Sequence, residues 1–115
     1  MKFNYKDIEK TRVDHLRGGE NFVYIQKLPV LLDNMKAYNI ITIPSGSSIG
    51  VHTHEEDEEI IYCLKGVGTL LIDGINNPFT EGMVSVCKKG RNHSVINTSN
   101  SDLVVLAVIN NCKGE

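Results

Sequence analysis

Four side chains in this 115-residue sequence, His52, His54, Glu59 and His93, are of types that ligate metal ions. Three of them fall between positions 52 and 59. Residues two apart on an extended strand point to the same face, so a strand carrying His52 and His54 aims two imidazoles at one point. The acidic run Glu55-Glu56-Asp57-Glu58-Glu59 follows. If that run turns the chain back, Glu59 opens the next strand and reaches the same point from the neighbouring strand. His93 begins a later strand, after the Lys88-Lys89-Gly90 loop. Three imidazole nitrogens and one carboxylate oxygen together would hold one divalent transition metal: iron, manganese, nickel, cobalt or zinc. An octahedral ion so held keeps two positions for water or substrate. The plainer alternative is that strand histidines lie at the surface and that an acidic run is a solvated face. Within the run, Glu55, Glu56 and Asp57 read as loop residues that favour solubility, and Glu58 as outward-facing.

Positioning such a cluster requires strands, and the chain reads as a succession of them. Phe22 to Gln26 combines aromatic and β-branched residues with few charges. The apolar run from Leu28 to Leu32 carries Pro29, which makes it an edge strand or a loop. Further strands are expected at Tyr38 to Ile43, Glu59 to Leu64, Thr69 to Ile72, Met83 to Cys87, His93 to Asn97 and Leu103 to Ile109. Asp73-Gly74 is a hairpin signal, with Ile75 to Thr80 as the return strand, interrupted at Asn77-Pro78. No segment carries a helical period over ten residues. Short strands joined by Gly, Asn and Asp turns indicate an all-β sandwich or barrel. Alternation places Ile61 and Cys63 inward with Glu59, and Val95 and Asn97 inward with His93. Cys87 and Tyr24 are further candidates to line the same pocket, with core packing as their alternative. Ser85 shares a face with Cys87, and Val84 and Val86 share the other; which face looks inward is open.

Length and composition fit one domain over residues 1–115, with 1–15 as a mobile N-terminal extension or short helical turn and 38–110 as the barrel core. The hydrophobic fraction of 41% is enough for a core. A net charge of -2 lacks the basic excess of a nucleic-acid-binding face. The polar start MKFNYKDIEKTR and the absence of a long apolar run point to a cytoplasmic protein with no membrane partner. Cys63, Cys87 and Cys112 form no metal-binding spacing and read as reduced thiols, with a Cys63–Cys87 contact across the interior left open.

The stretch Gly46 to Gly66, GSSIGVHTHEEDEEIIYCLKG, resembles the first motif of the cupin family. That motif is a glycine, five residues, H-x-H, three or four residues, glutamate, six residues and a glycine. Gly82 to Asn97, GMVSVCKKGRNHSVIN, resembles the second cupin motif through Gly82, Gly90, His93 and Asn97. Lys88 stands where that motif has a proline, a departure that bears on the loop and leaves the ligands intact. The resemblance implies a double-stranded β-helix, the jelly-roll barrel also called RmlC-like. It further implies that His52, His54, Glu59 and His93 are the metal ligands.

What such a protein does follows less directly, since one fold hosts many chemistries. The expectation is a small organic ligand, carboxylate or oxygen-bearing, bound at the metal. That would make the chain a dioxygenase-like metal-dependent oxidoreductase or, alternatively, a non-catalytic binding or sensor module. With no second carboxylate expected at the metal, decarboxylase and isomerase readings rank lower. Similar cupins pair through N-terminal strands, so a homodimer is expected.

Overall fold

Runs of apolar and β-branched residues separated by Gly, Asn and Asp turns fold into strands, and burial alternates with a period of two along segments such as Asp57–Lys65 and Val84–Cys87. In the computed structural model, residues 1–29 and 32–112 are described, and they form ten strands. These are β1 (Thr11–Asp14), β2 (Phe22–Lys27), β3 (Met35–Ile43), β4 (Ser48–Thr53), β5 (Asp57–Lys65), β6 (Val67–Ile72), β7 (Ile75–Thr80), β8 (Val84–Cys87), β9 (Asn92–Ile96) and β10 (Leu103–Asn111). They build two antiparallel sheets, ordered β1-β2-β3-β10-β5-β8 and β4-β9-β6-β7. The fold is the all-β jelly-roll barrel expected.

The inner faces of both sheets make one core, with Ile43, Ile61, Phe79, Val95, Leu103 and Val105 each nearly solvent-free. Burying an aliphatic or aromatic side chain of this kind contributes about 1.5–3 kcal/mol. On β5 the alternation is regular: Asp57, Glu59, Ile61 and Cys63 are buried, and the residues between them are not. On β8, Ser85 and Cys87 face inward while Val84 and Val86 are exposed, which resolves the direction left open.

Several local expectations change. The N-terminal stretch contains a 3-10 turn at Tyr5–Asp7 and then β1, which pairs with β2. Ile75 to Thr80 pairs with β6 without interruption, Pro78 included. β7 is the edge of its sheet, where a residue without an N–H is tolerated. Of the apolar run Leu28 to Leu32, positions 30 and 31 lie outside the described residues. Cys63 sits level with Met83, through a backbone bond of 2.9 Å, while Cys87 sits level with Glu59, so the two thiols are four residues apart along the β5–β8 pair. Cys63 and Cys87 are buried free thiols. No helix among the described residues is long and apolar enough to cross a membrane.

The strand that carries the histidines departs from simple alternation. Ile49 pairs with Val95 and His52 with His93, so β4 advances three residues while β9 recedes two. The extra residue is a bulge at Gly50-Val51. Without it, Ile49 and Val51 would share the inner face and His52 would point out. With it, Ile49 and His52 are both inward and Val51 is 61% exposed.

Candidate metal centre

Two strands of one sheet and one strand of the other bring the four candidate ligands together. His52 and His93 face each other across the β4–β9 pair. His54 lies one residue beyond the end of β4. Its backbone N–H donates to Arg91 O at 3.0 Å and its carbonyl accepts from Gly90 N–H at 2.6 Å, which ties it to the Lys88–Arg91 loop. Glu59 enters from β5 in the opposite sheet, not from a neighbouring strand as the sequence suggested.

One donor atom from each of His52, His54, Glu59 and His93 lies within 4.8 Å of the others. Glu59 Oε1 is 2.8 Å from His93 Nε2, 3.0 Å from His54 Nε2 and 3.7 Å from His52 Nε2. His93 Nε2 is 3.0 Å from His52 Nε2 and 3.1 Å from His54 Nε2. Three of the four residues are buried and His52 is half-buried.

Hydrogen bonds on the far side of the rings determine which nitrogens carry lone pairs. His52 Nδ1 donates to the Gly50 carbonyl at 2.7 Å. A carbonyl only accepts, so in the neutral ring the proton sits on Nδ1 and Nε2 presents a lone pair to the centre. His54 Nδ1 bonds Asp57 Oδ1 at 2.6 Å, with the same result for its Nε2. His93 Nδ1 is buried with no partner, so nothing in the protein holds a proton there and its Nε2 can donate to Glu59. Burial alone would raise the Glu59 carboxyl, but His52, His93 and His54, as rings that present N–H groups or positive charge toward it, outweigh burial and hold the pKa down to about 2 in the metal-free protein. A carboxylate and two imidazole lone pairs thus converge with at most one proton to share among them. That donor set fits a divalent cation.

Asp57 is the residue that sequence reasoning missed. Assigned there to loop solubility, it is 7% exposed and binds His54 Nδ1 through one oxygen and Lys36 Nζ, at 2.8 Å, through the other. Burial works to raise its pKa, and the bonds to Lys36 and His54 prevail and lower it. The signal was present: Asp57 is two residues before Glu59 and therefore in phase with it.

A cavity of about 300 Å³ opens beside His52 and Glu59, with Asp57 and Ile61 in its wall. The other suggested lining residues do not border it. Tyr24 stands on the opposite face of β2 from Ile25, which does line the cavity, and packs edge-on against Phe22. Cys63 and Val95 belong to the apolar core. Asn97 is fully buried and braces two turns, donating from Nδ2 to Ile43 O at 2.8 Å and to Ser101 O at 2.7 Å. Cys87 borders a separate, smaller pocket with His93. Burial first, then the Glu59 and Asp73 charges, push the Cys87 thiol up to about 11, so in the metal-free protein it is a neutral thiol at neutral pH.

Residues 39–109 match the family described as Cupin domain. Over 112 residues the chain is 35% identical to a Thermotoga maritima protein named oxalate-binding protein, covering 95% of this chain and 93% of that one. A crystal structure described as a predicted oxalate decarboxylase, also from Thermotoga maritima, superposes with a TM-score of 0.92 at 33% identity. The match covers 97% of this chain and all of that one. An RmlC-like cupin from Shewanella frigidimarina shares the fold, with a TM-score of 0.76 at 13% identity over 98% of this chain and 91% of that one.

Proposed function

This chain belongs to the cupin family, and from that premise we propose that it binds a small carboxylate-bearing ligand at one divalent transition metal held by His52, His54, Glu59 and His93. The observation that carries this reading is the convergence of four donor atoms within 4.8 Å, two of them imidazole nitrogens whose lone pairs are directed inward. The 35% identical relative named for oxalate binding supports a carboxylate as the ligand class. A metal in this position supplies Lewis acidity toward an oxygen-bearing ligand.

The protein's own residues do the rest. Asp57 and the Gly50 carbonyl orient two rings, Glu59 stays ionised, and the apolar wall keeps water from competing for the ligand. A second reading, decarboxylation, gains from one observation. Asp57, assigned from sequence to the loop, borders the cavity as a second carboxylate near the site, its oxygens bonded to His54 and Lys36.

Metal content followed by calorimetry tests the proposal. The account expects one metal per chain, and oxalate binding by the loaded protein with little by the stripped protein. Equal oxalate binding with and without metal would overturn it. Carbon dioxide release from bound oxalate would select decarboxylation over simple binding.

A further inference from the structure

The floor of the cavity runs across four adjacent strands. Glu59 and Ile61 come from β5, Ala107 and Ile109 from β10, Ile41 from β3 and Ile25 from β2. These strands are consecutive in the sheet, so the floor crosses three inter-strand gaps of about 4.8 Å each, roughly 14 Å in all. The cavity's volume of about 300 Å³ matches roughly ten waters at about 30 Å³ apiece. Oxalate has one C–C bond, about 1.5 Å long, between its carboxyl carbons, and would leave most of this floor bare. Beyond Glu59 the floor is aliphatic apart from Asn39 beside Ala107, and water against its aliphatic part gains nothing that an apolar group would not improve on.

At the centre of the floor the side chain is small. Ala107 pairs with Ile61 on one side and Asn39 on the other, and isoleucines stand at positions 25, 41, 61 and 109 around it. Above the floor sits Leu16, partly buried against the core. Its segment is pressed onto β4 where Gly19 and Gly50 meet: a Cβ on Gly50 would lie 2.1 Å from Arg17 O, and one on Gly19 would lie 2.1 Å from Ser48 O. Both glycines thus hold the roof close to the strand that carries His52.

We infer that the ligand is a carboxylate with an apolar body of several carbons, its head at the His52–Glu59 end and its body lying over Ala107 toward Ile25. Ala107 is then a specificity-determining residue, since its missing side-chain volume is the channel for that body. The inference rests on the proposed carboxylate site and names the class of ligand that site takes.

The test is calorimetry on the manganese-loaded protein with acids that share one head and differ only in body: pyruvate, 2-oxobutanoate and 2-oxopentanoate, with oxalate alongside. A buried methylene contributes about 0.8 kcal/mol, a factor of about four in affinity. The expected result is a rise of about fourfold per added carbon, about fifteenfold from pyruvate to 2-oxopentanoate. Ala107→Val should flatten that rise to less than about twofold. If Ala107→Val fails to fold, the wild-type series decides by itself. Should oxalate and pyruvate bind with no gain for the longer acids, this inference falls and the carboxylate site stands. Should none of the four bind, both fall.

Discussion

Replacing Asp57 with Asn isolates what a carboxylate behind a metal-binding histidine is worth here. Asp57 Oδ1 is 2.6 Å from His54 Nδ1 in a buried setting, and Oδ2 is 2.8 Å from Lys36 Nζ. An amide oxygen still accepts from His54, but the negative charge is gone and the amide N–H groups face the Lys36 ammonium. The His54 bond is charge-assisted and buried, worth about 1.5–3 kcal/mol. The Lys36 side is exposed, 51% for that side chain, and solvent screening leaves it little weight. The metal-free variant should therefore lose about 2–3 kcal/mol, a fall of roughly 8–12 °C in melting temperature at about 4 °C per kcal/mol. Metal affinity should fall about 10- to 100-fold, because His54 is no longer held in one tautomer and orientation. Competition against a chelating dye reads the affinity, and thermal denaturation reads the stability. Lys36→Met serves as the control, removing only the exposed half of the chain of contacts and shifting affinity by less than about threefold. If Asp57→Asn binds metal within about twofold of wild type, the orienting role is refuted.

Acid should destabilise the metal-free protein in a window set by Glu59. Its folded pKa of about 2 lies below the ordinary 4.5, so its contribution is present above about pH 4.5 and is lost as pH falls toward 2. The loss is on the order of 3 kcal/mol, and Glu59→Gln should make the denaturant midpoint less dependent on pH over that range. Gly50→Ala would place a methyl 2.1 Å from Arg17 O and disturb the carbonyl that holds His52 Nδ1. It should cost more than about 2 kcal/mol and weaken metal binding, and an unchanged unfolding midpoint would contradict the packing described. Asn97→Ala leaves the buried Ile43 carbonyl and the part-buried Ser101 carbonyl without this donor, at a cost of about 1–3 kcal/mol in unfolding free energy, while metal stoichiometry measured on the folded variant stays at one.

The parts of this protein that follow simple periodicity were legible in its sequence. The period-two pattern of β5 and the Asp73-Gly74 turn, with φ of 48° and 82°, do in the structure what their residue types dictate. His52, His54 and Glu59 could be named because H-x-H spacing and a following glutamate are local features, and His93 because the Gly82 to Asn97 stretch resembles the second cupin motif. Asp57 was lost because the strand was taken to start at Glu59, and alternation was not carried back two residues into an acidic run that resembles a solvated loop. The bulge at Gly50-Val51 was hidden for a different reason. A bulge changes which face follows which, and only the partner strand reveals it. The sheet assignment of Glu59 depends on crossovers that no local pattern encodes. The N-terminal strand β1 reads as polar, TRVD, because an edge strand with exposed residues buries little. Cavity lining failed at Tyr24 because the inward phase of β2 belongs to Val23 and Ile25.

The most direct test of the central claim is anomalous diffraction, at the metal's absorption edge, from crystals of the protein loaded with one equivalent of manganese. The account predicts a single peak per chain between the two sheets, about 2.0–2.3 Å from His52 Nε2, His54 Nε2, His93 Nε2 and a Glu59 oxygen. A peak elsewhere on the chain, or none there at full loading, would contradict it.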